Sequence, residues 1–173
     1  MFGLMNAAGM VKTLADVGRI ATTPVTHIVV GSVTLEPREG NLGRTEGALG
    51  AMAYINALGL PNPGLAYYLE HLPQMRTIAQ RAGKILRISI AGFSPQEYGE
   101  LARALVPFGE LEINLGCPNV YAEGRRKEIM SFDVDLFLEV AQQLHGCRRS
   151  LGDVFGSSSL PTAILESFNG WQA

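Results

Sequence analysis

The sequence predicts an α/β chain with parallel strands, and three observations carry that prediction. Apolar, β-branched runs of strand length alternate with segments of helical period four times along the chain. Glycines and prolines punctuate the junctions between them. With 173 residues, 47% of them hydrophobic, the chain has the size and apolar content for one ordinary domain with a real core.

Composition removes several function classes. Charged residues make up 17% and the net charge is −2, which argues against a disordered chain or a protein that coats nucleic acid. The 20 glycines suit tight βα turns or close approach of backbone to a ligand. Cys117 and Cys147 form no CxxC pair and no metal spacing, which fits a reducing compartment and no metal site. No apolar run has the length of a membrane span and no signal peptide is visible at the N-terminus, so a cytoplasmic location without membrane contact is expected.

The elements follow in order. Phe2 to Ala8 reads as a first strand, closed by Gly9. Thr13, with Asp16 three residues on, makes a weak capping box for a short helix carrying Leu14 and Val17, which ends by Gly18 and Thr22 to Pro24. Thr26 to Val33 is a buried second strand, and Gly31 within it marks a place where something approaches the backbone closely. Thr34 to Asn41 has the composition of a solvated turn. Gly43 to Ala57 is rich in glycine and alanine without clear periodicity. Asn56 to Gly64 concentrates Gly59, Pro61, Pro63 and Gly64 between asparagines, more special residues than a simple connection needs, and reads as an ordered functional loop.

Leu65 to His71 starts a helix; Pro73 is expected to interrupt it and open a second, with Met75, Ile78, Ala79 and Ala82 on one face and Gly83 past its end. Ile85 to Ala91 is the third strand, closed by Gly92. Ser94-Pro95-Gln96-Glu97 is a helix start with the N-cap, the first-turn proline and the acidic third residue all in place, followed by the stripe Tyr98, Leu101, Ala102 and Leu105. The fourth strand, Leu111 to Leu115, runs into Gly116-Cys117-Pro118-Asn119, where Pro118 stops it. The loop Tyr121 to Met130 carries Arg125, Arg126 and Lys127, a trio read as solvated rather than anion-gripping. Ser131 is expected to cap a helix reaching Leu144, with Phe132, Leu136, Phe137, Val140 and Leu144 on its buried face.

After Gly146 the rhythm stops. Residues 147–173 are expected to be a divergent tail, frameshifted or disordered. Neither GxGxxG after the first strand nor GxxxxGK[ST] anywhere occurs, so the two common nucleotide fingerprints are missing.

Chemistry gathers at the tip of the fourth strand. One thiol, Cys117, and two amides, Asn114 and Asn119, stand where a parallel strand hands over to a loop. On its own this stretch also reads as a packing cysteine beside turn-forming residues.

Four motifs in order resemble the first half of a class 1 dihydroorotate dehydrogenase: Asn6-Ala7-Ala8-Gly9, Thr34-Leu35-Glu36-Pro37-Arg38-Glu39-Gly40-Asn41, Asn56 to Gly64, and Asn114 to Val120. The resemblance implies a partial TIM (β/α)8 barrel of about four βα units over residues 1–146. It implies an oxidoreductase acting on CH–CH groups, with FMN as cofactor, that oxidises (S)-dihydroorotate to orotate in pyrimidine (UMP) biosynthesis. By resemblance Ala7, Ala8, Gly31, Ser32 and Asn114 face the flavin. Asn56, Ala57, Leu58, Gly59, Leu60, Asn114 and Asn119 hold the substrate. Cys117 is the catalytic base, and a cysteine rather than a serine there resembles the soluble class 1 enzymes.

The residue types suit the chemistry: a base takes a proton from one carbon while a hydride leaves its neighbour for the flavin. A thiolate serves if nearby donors lower its pKa, and neutral amides read a pyrimidine's donors and acceptors. Two positions depart from the family's pattern, Gly31 where it carries a lysine and Ala8 where it carries a serine. Because later barrel units are not represented, impaired or absent turnover by this chain is expected. A complete protein of this kind is expected to form a homodimer, with fumarate or a partner electron-transfer subunit as acceptor. Two alternatives remain: a tRNA-dihydrouridine-synthase-like flavin enzyme, which shares an N-x-G-C-P turn, and a non-catalytic half-barrel remnant.

Overall fold

The structure is a computed structural model describing residues 3–49, 53–117, 120–122, 125–126 and 133–145. In chain order the elements are α1 (Leu14–Ile20), β1 (His27–Val33), β2 (Glu46–Leu49), β3 (Ala53–Asn56), α2 (Gly64–Arg81), β4 (Ile85–Ile90), α3 (Pro95–Leu105), a 3-10 turn (Val106–Phe108), β5 (Glu110–Ile113), β6 (Tyr121–Ala122), β7 (Arg125–Arg126) and α4 (Val134–His145). The central sheet is parallel, with β1, β4 and β5 side by side in sequence order. Sequential parallel neighbours joined by helices are the arrangement from which a singly wound barrel is built.

The strand expected over Phe2 to Ala8 is reduced to one parallel bridge between Met5 and His27 (Phe2 lies outside the described residues). A side chain takes over the backbone pairing that would have continued it. The buried Asn6 amide donates to Val29 O at 2.8 Å and accepts from Val29 N at 2.9 Å, satisfying both polar groups of that residue. Thr26 and His27 N donate to Leu4 O at 2.7 and 3.2 Å and hold the other end.

Helix α1 starts on the expected capping box. Thr13 Oγ1 accepts from Asp16 N at 3.3 Å, and Asp16 Oδ2 accepts from Thr13 N at 2.8 Å. Burial opposes the charge on Asp16, yet the amides of Lys12 and Thr13, the Thr13 hydroxyl and Arg19 hold its carboxyl below the usual carboxylate range.

Three other expectations need correction. Gly43 to Ala57 contains an antiparallel hairpin, β2 with β3, in the register Glu46 to Asn56 through Leu49 to Ala53. It forms a sheet separate from the central one with Ala48, Ala53 and Ile55 exposed, so the described side chains show no buried face to impose the alternation that would have revealed it. Pro73 does not divide the helix: α2 runs unbroken through it. Pro73 and Leu69, whose carbonyl loses a donor, are on the exposed side, while Tyr68, Leu72, Met75 and Ala79 pack a continuous buried stripe that carries the helix across. Within the loop expected over Tyr121 to Met130, Tyr121 pairs with Arg126 and Ala122 with Arg125 as short antiparallel strands, while Lys127 lies outside the described residues.

Helix α4 begins later than expected. Asp133 Oδ1 accepts from Asp135 N and Leu136 N, both at 3.0 Å, and acts as the cap; Ser131 and Phe132 lie outside the described residues. Of its expected buried face, Val140 and Leu144 are buried, and Leu136 and Phe137 are half-buried. Residues 146–173, including the expected tail, also lie outside the described residues.

The helices bury one face of the sheet. Val17, Tyr68, Leu72, Met75, Tyr98, Leu101 and Leu105 pack on Ile28, Val30, Leu86, Ile88, Ile90 and Leu111. Strand alternation sends the intervening residues to the other face. There Arg87 on β4 grips Glu110, its register partner on β5, through Nε at 3.1 Å and Nη2 at 2.6 Å. Among the described residues no helix is long and apolar enough to cross a membrane.

One core group is poorly served. Tyr68 is fully buried and its hydroxyl has no hydrogen-bond partner among the described residues; burial, with Tyr67 and Asp16 nearby, pushes its pKa up. Replacing Tyr68 with phenylalanine removes a desolvated polar atom and is expected to leave stability unchanged or raise it by about 1 kcal/mol. Chemical denaturation of the two proteins checks this, and a loss of 1 kcal/mol or more would contradict it.

Candidate functional site

The C-terminal ends of the parallel strands carry the first cluster. At the end of β1, Gly31 has φ +106° and is buried. Gly31 N donates to Val11 O at 2.9 Å, and Gly9 N donates to Gly31 O at 2.6 Å, which stitches the Ala7–Gly9 turn over the strand end. The close approach anticipated at Gly31 is made by the chain's own backbone. A Cβ there would stand 2.5 Å from Ser89 O and 2.7 Å from Val33 N. Ala7 is exposed and Ala8 half-exposed, and among the described residues no heavy atom lies within 4 Å of where a Cβ on Gly9 or Gly116 would stand.

A polar relay crosses the three strand ends. Ser32 Oγ on β1 and Ser89 Oγ on β4, both buried, are 2.9 Å apart. Asn114, just beyond β5, donates from Nδ2 to Ser32 Oγ at 2.9 Å and accepts at Oδ1 from Gly116 N at 3.3 Å. The buried Tyr98 hydroxyl of α3 donates to Asn114 O at 2.7 Å and fixes that residue from the helix side. Burial first, and then the neighbouring Cys117 and Glu97, push the Tyr98 phenol up, although its contact with Gly92 opposes them, so it remains a protonated donor. Cys117 is half-buried and unbridged. Asn114 keeps one amide proton and one lone pair beyond these bonds.

The second cluster is the segment Ala57–Leu60. Each of its four carbonyls accepts from a donor on Arg38, Asn41 or Asn62. Asn41 Nδ2 donates to Ala57 O at 2.7 Å, Asn41 N to Leu58 O at 2.9 Å, Arg38 Nε to Gly59 O at 3.2 Å, and Asn62 Nδ2 to Leu60 O at 2.9 Å. Gly59 and Leu60 sit in the left-handed region, at φ +78° and +59°. The consequence is a row of three successive amides, Leu58 N–H, Gly59 N–H and Leu60 N–H, with no hydrogen-bond partner among the described residues. Successive backbone N–H groups facing one way form a concavity for an anion or a strong acceptor.

Two buried or half-buried side chains lock this row in place. Asn62 uses its whole hydrogen-bonding capacity: Oδ1 accepts from Thr34 N and Gly64 N, and Nδ2 donates to Thr34 Oγ1 and Leu60 O. The guanidinium of Arg38 lies 4.8 Å from the centroid of the Phe93 ring, reaching a third loop.

Of the residues singled out from sequence, the structure joins Asn114 to Ser32, and Gly31 to the turn after Ala7 and Ala8. Leu58, Gly59 and Leu60 form the amide row; Ala57 leads into it, its own N–H donating to Thr45 O at 2.6 Å. Asn56 is exposed at the end of β3 and bonds to none of Ser32, Ser89 or Asn114. Pro118 and Asn119 lie outside the described residues. Sequence reasoning missed Ser89, whose one signal is a serine in an otherwise apolar strand end, and Asn62, taken only as part of a loop. It also read Arg38 and Asn41 by composition as solvated, whereas both are half-buried.

Comparison with known proteins agrees with this architecture. A solved dihydroorotate dehydrogenase from Eimeria tenella, in complex with ferulenol, superposes with a TM-score of 0.69 at 19% identity, covering 86% of this chain and 41% of that one. The fold is therefore a partial α/β barrel with its polar groups at the C-terminal strand ends. A family model for dihydroorotate dehydrogenase matches residues 3–145, and the chain belongs to that family. It is 35% identical over 122 residues to a dihydroorotate dehydrogenase (fumarate) of Trypanosoma brucei brucei, covering 67% of this chain and 38% of the relative. It is 36% identical over 121 residues to a putative dihydroorotate dehydrogenase A (fumarate) of Streptococcus equi subsp. equi, covering 68% and 38%. The chain thus spans 38% of the length of these curated relatives.

Proposed function

We propose that the chain carries the substrate-gripping and flavin-facing part of an FMN-dependent dihydroorotate dehydrogenase of pyrimidine biosynthesis. The observation that carries this reading is the row of free amides at Leu58, Gly59 and Leu60. Dihydroorotate bears a carboxylate, and a fixed row of backbone N–H groups binds a carboxylate without burying a counter-charge. The remaining donor and acceptor of Asn114 suit a pyrimidine amide edge, and Asn56 and Asn119 are assigned to the same ring by resemblance.

The strand ends fit a flavin in their chemistry. Among the described residues nothing crowds Gly9 or Gly116, and the neutral relay of Ser32 and Asn114 offers hydroxyl and amide groups to a ring's polar edge. Ala7, Ala8, Gly31, Ser32 and Asn114 would hold it. When bound, FMN supplies the hydride acceptor. The chain's own part is to orient the ring through Asn114, anchor the carboxylate on the amide row and take the carbon-bound proton at Cys117 Sγ. The relatives' names support fumarate as the acceptor for a whole protein of this type, and the family suggests a cytoplasmic homodimer.

One observation favours a non-catalytic remnant. The backbone at Gly31, where the family carries a lysine, is closed by Ser89 O. The described strands form an open sheet, so turnover by this chain is expected to be lost or impaired. Binding is the discriminating property. Orotate is expected to bind the purified chain at least tenfold more tightly than uracil, which lacks the carboxylate, and to shift the amide resonances of Leu58 to Leu60. Equal weak binding of both, or none, would discard the reading.

A further inference from the structure

A peptide unit is rigid, so holding a carbonyl fixes the direction of the N–H that follows it. Each free amide of the row belongs to a unit whose carbonyl is held from the opposite side. Leu58 N–H shares its unit with Ala57 O, held by Asn41 Nδ2 at 2.7 Å. Gly59 N–H shares its unit with Leu58 O, held by Asn41 N at 2.9 Å. Leu60 N–H shares its unit with Gly59 O, held by Arg38 Nε at 3.2 Å.

The contacts around these bonds are tight enough to transmit position. A Cβ on Gly59 would stand 2.6 Å from Asn41 Cγ and 2.8 Å from Asn41 N, and one on Gly40 would collide with Leu58 O. The 38–41 segment is itself fixed by paired bonds between Arg38 and Asn62, N to O at 2.8 and 2.9 Å. The Phe93 ring holds the guanidinium in place.

We infer that Asn41 and Arg38 are positioning residues for substrate recognition, Asn41 aiming the amides of Leu58 and Gly59 and Arg38 aiming that of Leu60. Neither touches the ligand; both act by turning carbonyls away from it. Two side-chain donors and one backbone N–H thus aim a site with which they share no ligand contact, a role that rests on the reading of the row as the carboxylate-binding site.

The division of labour makes a residue-resolved test. In the full chain, Asn41→Ala is expected to perturb the amide resonance and speed hydrogen exchange at Leu58, with Gly59 less affected because the backbone bond from Asn41 N to Leu58 O survives the substitution, and Arg38→Met to do so at Leu60. Each is expected to weaken orotate binding by about tenfold while uracil binding is unchanged. Arg38→Lys, which keeps the charge but lacks the Nε donor, is expected to behave as Arg38→Met, separating aiming from charge. Asn41→Asp, which keeps the packing and loses the donor, stands in if Asn41→Ala fails to fold. Perturbations spread evenly over the loop, or wild-type amides and orotate affinity in the folded variants, would overturn the inference. If wild-type chain binds no orotate while the site-specific amide pattern appears, the positioning stands and the functional reading falls.

Discussion

Replacing Gly31 with alanine is expected to destabilise the chain by about 2–5 kcal/mol, the largest effect of any single methyl addition at the strand ends. Two costs combine. At φ +106° an L side chain is strained whatever the space around it. The new Cβ also meets Ser89 O at 2.5 Å and Val33 N at 2.7 Å, both backbone atoms that cannot rotate away. Relief requires β1 and β4 to part at this point, and that parts Ser32 from Ser89 as well. A lysine at the same position, the residue the family pattern carries, is expected to lose at least as much stability, because the obstruction lies at Cβ. Denaturant midpoints of wild type, Gly31→Ala and Gly31→Lys measure this, and a loss below 1 kcal/mol in either variant would show that the strand end accommodates a side chain.

Replacing Asn62 with leucine is expected to cost about 3–5 kcal/mol, since it strands buried groups rather than simply deleting a bond. The side chain is close to leucine in size, so the loss is one of partners. Thr34 N and Gly64 N lose their acceptor, Leu60 O loses its donor, and Thr34 Oγ1 loses the amide proton it receives. Leu60 also loses the bond that holds its carbonyl while it sits at φ +59°. Asn62→Asp retains the two accepted bonds and drops the two donated ones, so it is expected to fall between wild type and Asn62→Leu. Denaturation of the series reads the ordering. Equal stability of Asn62→Leu and wild type would mean that solvent reaches these groups and that Asn62 is no clamp.

Much of the secondary structure was legible because its signals are local. Ser94, Pro95 and Glu97 announce the start of α3 within four residues, and Ser94 Oγ does accept from Glu97 N at 3.3 Å. The β-branched run ending at Val33 and the run Ile85 to Ile90 become neighbouring parallel strands. Two of the misreadings share one cause, a local signal overruled by packing. Pro73 breaks a helix in isolation, but the stripe from Tyr68 to Ala79 is buried as one piece. The run Phe2 to Ala8 has strand composition, but Asn6 spends its side chain on Val29 where a ladder would have spent backbone.

The candidate site divides in the same way. By itself the sequence determined the class of chain, an α/β barrel fragment, and through its four ordered motifs the residues around which a site would be sought. Cys117 beside Asn114 and the run Ala57 to Leu60 were all in view. Tertiary structure alone decided how those residues face one another. It bonded Ser32 to Ser89 across 57 positions and Asn114 to Ser32 across 82, closed Gly31 with a neighbouring strand, and engaged the carbonyls of Ala57 to Leu60 so that three amides are left without a partner among the described residues. The physical reason is one of range. Period and capping depend on residues within a turn or two, whereas a hydrogen bond between distant positions exists only once packing has brought its donor and acceptor within 3 Å or so of each other.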